Sequence, residues 1–169
     1  MASPADVLKL IKDQEVKFVD LRFTDTRGKE QHVTVPAKQF TMDKFDAGHA
    51  FDGSSIAGWK GIQASDMLLM PDAGTAYIDP FMDETTLLIT CDVVEPSDGK
   101  GYERDPRSLA KRAEAYLKSS GMGDTAYFGP ELEFFIFDYA WYDQNINSAK
   151  YYVGSREGVW GRGDEETTN

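Results

Sequence analysis

Apolar positions along the chain change period several times, and each change marks an element. Val7, Leu10 and Ile11 recur at helical spacing and predict a short N-terminal helix. Ser3 is placed to cap it, with Pro4 in its first turn and Asp6 near its positive end. In VKFVDLRF the period drops to two: Val19, Leu21 and Phe23 alternate with polar positions, as in a half-buried strand. TDTRGK predicts a turn in which Gly28 takes positive φ, and EQHVTVP the returning strand of a hairpin that Pro36 ends. AKQFTMDKFDAG predicts a short helix closed by Gly48. FDGSSIAGWKGIQA (51–64) has neither period and predicts a structured loop. TAYIDPF and TTLLITCDVV predict further strands, with Pro80 confining the first to an edge or its end.

The pattern breaks at EPSDGKGYERDP (95–106), rich in glycine, proline and charge, which predicts a domain boundary there. Residues 1–103 form one predicted domain and 104–169 the beginning of another. Asp105 and Pro106 open a helix whose apolar face is Leu109, Ala113, Tyr116 and Leu117, and Gly121 stops it. FGPELEFFIFD (128–138) predicts a strand. From Tyr139 onward Trp141, Tyr142, Tyr151, Tyr152 and Trp160 are scattered without period, so no element is predicted there. A helix and one strand without a sheet make the second unit look unfinished, as in a piece of a longer polypeptide.

Composition narrows the function classes. With 41% hydrophobic and 28% charged residues, the 169-residue chain can bury a core. A net charge of −11 repels phosphate backbones and speaks against a nucleic-acid or anionic-membrane partner. No apolar run approaches the ~20 residues of a membrane helix, and no signal peptide is visible. The single cysteine, Cys91, sits in an apolar run and cannot form an internal disulfide, which fits a soluble protein of the cytoplasm.

Two stretches carry candidate chemistry. On a strand, Glu131 and Glu133 share a face, about 6.5–7 Å apart, with Leu132, Phe134 and Ile136 on the other. Two desolvated carboxylates repel unless one is protonated or a hard cation such as Mg2+ or Mn2+ lies between them. A solvated strand edge with the acids in water explains the same pair. In FDGSS, Asp52 beside Ser54 and Ser55 groups a carboxylate with two hydroxyls that could hold a cation or take a proton from an amine. An Asx turn, with Asp52 capping its own backbone, is the plainer reading. Trp59 could be core, loop anchor or interface, and Asp66 could cap a short turn. His32 and His49 have no third ligand nearby in sequence. Neither common glycine-rich phosphate loop is present, and Arg162-Gly163-Asp164 matches an adhesion tripeptide too short to carry weight.

Taken together, KFVDLRFTDTRGKEQHVTVP (17–36), FDGSSIAGWKGIQASDMLLMPD (51–72), IDPF (78–81), RDPRSLAKRAEAYL (104–117) and FGPELEFFIFD (128–138) resemble bacterial glutamine synthetase of the dodecameric type, in the family's order and spacing. The resemblance covers nearly the whole chain. It implies an α+β fold: a β-grasp-like N-terminal domain followed by the first helix and strand of a catalytic domain built on an antiparallel sheet. It also implies ATP-dependent ligation of ammonia to glutamate through a γ-glutamyl phosphate. By the same resemblance Glu131 would bind the metal bridging the ATP phosphates and Glu133 the metal near glutamate. Asp52 would bind ammonium and accept its proton, Ser55 would add a hydrogen bond, and Asp66 would help complete a site shared between neighbouring subunits. The implied assembly is a homo-oligomer of hexameric rings stacked as a dodecamer.

This sequence lacks the family's remaining metal ligands, ATP-contacting segments, substrate arginines and flap. The 169 residues alone are therefore expected to be inactive, with the ligase function belonging to a longer chain. The alternative is a short non-catalytic assembly or regulatory module derived from the same family. A relative that ligates glutamate to another amine fits less well, because FDGSS and the paired glutamates match the ammonia-using enzymes.

Overall fold

The computed structural model describes residues 2–158, which divide into two compact units between Ala126 and Tyr127. Trp160 and the Arg162-Gly163-Asp164 tripeptide lie outside the described residues.

The first unit opens with α1 (Pro4–Asp13), where Ser3 and Asp6 form a reciprocal capping box. β1 (Phe18–Thr24) and β2 (Glu30–Pro36) make the expected antiparallel hairpin, and Gly28 has φ +83°. Its turn is tied by Asp25, whose carboxylate accepts from the amides of Arg27 and Lys29 and from the Gln31 side chain. The single helix predicted over 37–48 is instead a short 3-10 turn, Ala37–Gln39, and a one-turn helix α2 (Asp43–Asp46). Then follow β3 (His49–Asp52), β4 (Asp66–Pro71), β5 (Tyr77–Ile78), β6 (Thr86–Val94) and α3 (Pro106–Ser120).

The sheet runs β2-β1-β6-β4-β3, with β5 paired beside β6. The central pair β1–β6 is parallel and every other pairing antiparallel. On the side away from β1, β6 serves two partners in succession: its first half lies against β5, and Cys91 to Val94 lie against β4. One face is the core, where Val19, Leu21 and Phe23 meet Met67, Leu69, Leu87, Ile89 and Val93, closed by Val7 of α1. Cys91 is buried there, and burial pushes its thiol well above the ordinary range.

The opposite face is polar. Asp20 of β1 is buried, yet it accepts from Arg22 Nε (2.5 Å) and Thr34 Oγ1 (2.6 Å) and contacts His32 Nδ1 at 2.7 Å. Burial alone would raise its carboxyl, but the hydrogen bonds from Thr34, His32 and Arg22 hold it below the usual carboxylate value. α3 is fastened by charge: Arg107 bridges Asp92 (Nε to Oδ1, 2.8 Å) and Asp72, and Lys111 also pairs with Asp92. Buried Asp105 caps it, accepting from Ser108 N (3.0 Å) and Ser108 Oγ (2.6 Å), and Gly121 ends it at φ +71°. Leu109 and Tyr116 of its apolar face stand exposed.

The second unit departs from expectation twice. No strand forms over 128–138: only at its end does Asp138 N bond to the Gly154 carbonyl, at 2.8 Å, and Leu132, Phe134 and Ile136 are exposed. A strand exists only through a partner's hydrogen bonds, and Gly129 and Pro130 weaken its start further. The unit's strands lie instead where no period was legible. β7 (Tyr139–Asn145) and β8 (Ser148–Gly154) form an antiparallel hairpin pairing Trp141 with Tyr152 and Tyr142 with Tyr151.

Candidate functional site

The FDGSS stretch begins as a strand and ends as a turn. Asp52 closes β3, and its Oδ1 accepts from Ser54 N (2.8 Å) and Ser54 Oγ (2.6 Å), capping the 3-10 turn Gly53–Ser55. The Asx-type geometry is therefore real, and it fixes the carboxylate in one orientation. Hydrogen bonds from the Ser54 hydroxyl, the Ser54 amide and the Ser65 hydroxyl hold Asp52 below the ordinary carboxylate range. Gly53 has no room for a side chain: a Cβ there would stand 3.0 Å from the Ser65 carbonyl and closer still to the Met67 sulfur.

Asp66 opens β4 directly opposite Asp52 in the ladder. Side chains of such a pair project from the same face with Cβ atoms about 4.5–5.5 Å apart, and like charges there are unfavourable without a countercharge. Both carboxylates are exposed, as is Ser55. Strand register thus brings Asp52 and Asp66 together across fourteen positions of sequence, with Ser55 one turn away. Ser65 and Asp66 also line an open cleft of about 420 Å³, walled by Lys60 and Glu95. Two exposed acids with hydroxyls at their side can attract a small cation and, once it is held, accept a proton from it.

The loop between β3 and β4 is anchored by Ile56 and Trp59, both buried. The Trp59 ring packs against Phe23, Phe51 and Tyr102, with centroids 5.6, 6.4 and 5.1 Å away. This makes Trp59 core and loop anchor. Ser65, Tyr102 and Arg104 were not legible as contributors, because they touch the loop only through the fold. His49 begins β3; burial, then the Lys44 charge, lowers its imidazole pKa.

Glu131 and Glu133 lie in the second unit, exposed, in the irregular segment before β7. Among the described residues no three His, Cys, Asp or Glu side chains come together as a metal site. The two glutamates are the right donors for Mg2+ or Mn2+, but two are too few for a complete coordination shell.

A family profile described as the glutamine synthetase β-grasp domain matches residues 15–96, and one described as the glutamine synthetase catalytic domain matches 103–167. The chain belongs to the glutamine synthetase family. Glutamine synthetases of Methylococcus capsulatus and Escherichia coli are 62% and 57% identical over 158 residues, 94% of this chain and 34% of theirs. A Cupriavidus pinatubonensis protein described as 3-hydroxylaminophenol mutase is 68% identical over 163 residues, 96% of this chain and 35% of its own. The chain thus spans about a third of the length of the curated relatives it matches. Among solved structures, Plasmodium falciparum glutamine synthetase superposes with a TM-score of 0.69 at 26% identity, over 90% of this chain and 30% of that one. A GmaS chain in complex with ADP gives 0.61 at 22% identity, over 68% and 26%, which speaks for the fold alone. The expected fold class holds: a β-grasp glutamine synthetase N-terminal domain in a mixed α and β chain. No helix among the described residues is long and apolar enough to cross a membrane.

Proposed function

We propose that these residues serve ATP-dependent ligation of ammonia to glutamate, through a γ-glutamyl phosphate, in a polypeptide of the relatives' length. The observation that carries this reading is the Asp52–Asp66 pair: two exposed carboxylates held opposite each other, one kept ionised by its serine partners. Their charge draws in ammonium, and Asp52 takes its proton so that ammonia attacks the acyl phosphate. Ser55 supplies a hydrogen bond on the same turn. Residues 1–103 form the β-grasp-like domain and 104–169 the start of the catalytic domain, a division supported by the gap between the two profile matches at 97–102.

Glu131 and Glu133 would contribute two carboxylate ligands to Mg2+ or Mn2+ sites completed by residues beyond this chain. Bound there, such cations would supply charge neutralisation for the ATP phosphates and for the phosphoryl group in transfer. The exposed acids of the β3–β4 loop suit a site completed by a neighbouring subunit, in stacked hexameric rings in the cytoplasm. On this reading the 169 residues alone are inactive. The mass of the protein from its natural source bears on that directly: a mass well above 18.9 kDa supports the longer ligase, and 18.9 kDa supports the assembly module.

The direct test is Asp52→Ala in the full-length subunit. Ammonia-dependent turnover should fall by about 10²–10⁴-fold while ATP affinity stays within roughly twofold. Equal loss of both, or no loss, would remove Asp52 from ammonium handling. Glu131→Gln should weaken Mn2+–nucleotide binding; an unchanged titration takes that residue out of the metal site.

The 68% identity to a protein described as 3-hydroxylaminophenol mutase favours one second reading, an isomerisation of that compound. Turnover of 3-hydroxylaminophenol without ammonia, unaffected by Asp52→Ala, would support it.

A further inference from the structure

The thirteen residues between β3 and β4 are held at their centre by a segment from far along the chain. Gly58, Trp59 and Lys60 each meet a different residue of the connection from β6 to α3. Arg104 Nη1 donates to the Gly58 carbonyl at 2.5 Å. The Tyr102 hydroxyl donates to the Trp59 carbonyl at 2.9 Å, across 43 positions of sequence. Lys60 Nζ pairs with Glu95 at 2.5 Å and sits 5.0 Å above the Tyr102 ring. Gly58 has φ +81°, a left-handed turn that leaves its carbonyl free for Arg104.

The holding segment is itself stiff. Glu95 N bonds to the Lys100 carbonyl and Gly99 N to the Glu95 carbonyl, each at 2.9 Å, while Tyr102 N bonds to the Val93 carbonyl at 2.8 Å. Tyr102 is buried, and Asp105 N donates to its carbonyl at 3.2 Å just before α3 begins. The Asp105 carboxylate then caps α3 while also accepting from Val93 N (3.4 Å). Loop, connector and the first helix of the catalytic-domain match are therefore one continuous set of contacts.

We infer that Tyr102 and Arg104 are positioning residues: they clamp the loop backbone at Gly58 and Trp59 and so fix where Asp52 and Ser55 present their oxygens. The inference rests on the ammonium role proposed for Asp52, and it extends that role to residues that touch no substrate. It also gives the connector a task beyond joining two domains, since any displacement of α3 is passed to the loop through Tyr102 and Arg104.

The test is Tyr102→Phe and, separately, Arg104→Met in the full-length assembly, with Asp52→Ala alongside. Tyr102→Phe keeps the ring among Trp59 and Lys60 and removes only the hydroxyl. Arg104 is half-exposed, so its loss leaves the core intact. Amide exchange of residues 57–61 should quicken about 3–10-fold in each variant, as expected for one lost hydrogen bond. The KM for ammonium should rise by a similar factor, with the KM values for glutamate and ATP and the kcat at saturating ammonium within about twofold. Unchanged exchange overturns the clamp. Faster exchange with an unchanged ammonium KM, where Asp52→Ala still abolishes ammonia use, overturns the positioning role. If Asp52→Ala is silent while exchange quickens, the clamp stands and the ammonium reading is what fails.

Discussion

β1 and the segment before β7 carry the same pattern and meet opposite fates. Val19, Leu21 and Phe23 alternate with polar residues and are 0, 0 and 3% exposed. Leu132, Phe134 and Ile136 alternate with glutamates and phenylalanine, and remain 87, 80 and 79% exposed. β1 has β2 on one side and β6 on the other, so its backbone groups are paired and α1 can close over its side chains. Residues 128–136 belong to no strand ladder among the described residues. Alternation states which face could be buried; a neighbouring strand decides whether it is. Within the segment the rings of Phe135 and Phe137 stack on each other, 6.2 Å apart.

The sharpest way to break this comparison is to truncate one residue from each pattern. Leu21→Ala should cost about 2–5 kcal/mol, because it opens a cavity between β2, β6 and the helix layer. Phe134→Ala should change stability by less than ~0.5 kcal/mol, as an exposed side chain does. Urea unfolding of the two variants measures both. A cost above ~1 kcal/mol for Phe134→Ala would mean the segment is covered after all.

The polar face of the first unit gives the next effects. Asp105→Ala removes the cap of α3 and the partner of Ser108, and should cost about 2 kcal/mol with loss of amide protection confined first to α3. Asp20→Asn should cost about 1–3 kcal/mol, since Arg22, Thr34 and His32 all converge on that carboxylate. Its pH signature is specific. The folded carboxyl lies below its unfolded value, so its contribution is present above about pH 4 and is lost as pH falls through the folded value. Unfolding free energy measured from pH 6 to pH 2 should fall with acid in the native protein and fall less steeply in Asp20→Asn. Identical slopes would show that the hydrogen bonds do not hold the carboxylate ionised.

Much of the first unit was legible because its elements state themselves locally. Ser3 with Asp6, Gly28 in its turn, and Asp105 followed by Pro106 are signals contained within a few residues, and each performs as expected. β3 and β4 were not legible. Met67, Leu68, Leu69 and Met70 run without alternation because both faces of β4 are at least half covered, and β3 is four residues long. Asp20 reads as a surface position by period, and only the cross-strand placement of Thr34 and His32 shows why it is buried. The same limit applied to the candidate site. Asp52 and its serines were visible as a cluster, whereas the Asp52–Asp66 pairing is a product of register, and Tyr102 and Arg104 reach the loop only through tertiary structure.

The hairpin of the second unit gives a smaller effect than either buried carboxylate. Its two-residue turn, Ile146–Asn147, lacks the Asn-Gly signal and has no positive φ, and its aromatics lie on both faces, so no period announced it. An isolated two-stranded hairpin is marginal, and aromatic pairs supply much of what holds it. Tyr139 stacks on Tyr152 at 5.6 Å and covers Gly154, occupying the space a side chain there would need. Gly154→Ala should therefore displace the Tyr139 ring rather than the backbone, costing about 0.5–1 kcal/mol for the lost stacking. Ring–ring contacts between Tyr139 and Tyr152 should vanish from NMR spectra while the β7–β8 amides keep their protection. Loss of that protection as well would mean one glycine-seated ring holds the whole hairpin, and that the second unit, unlike the first, depends on a single contact instead of a core.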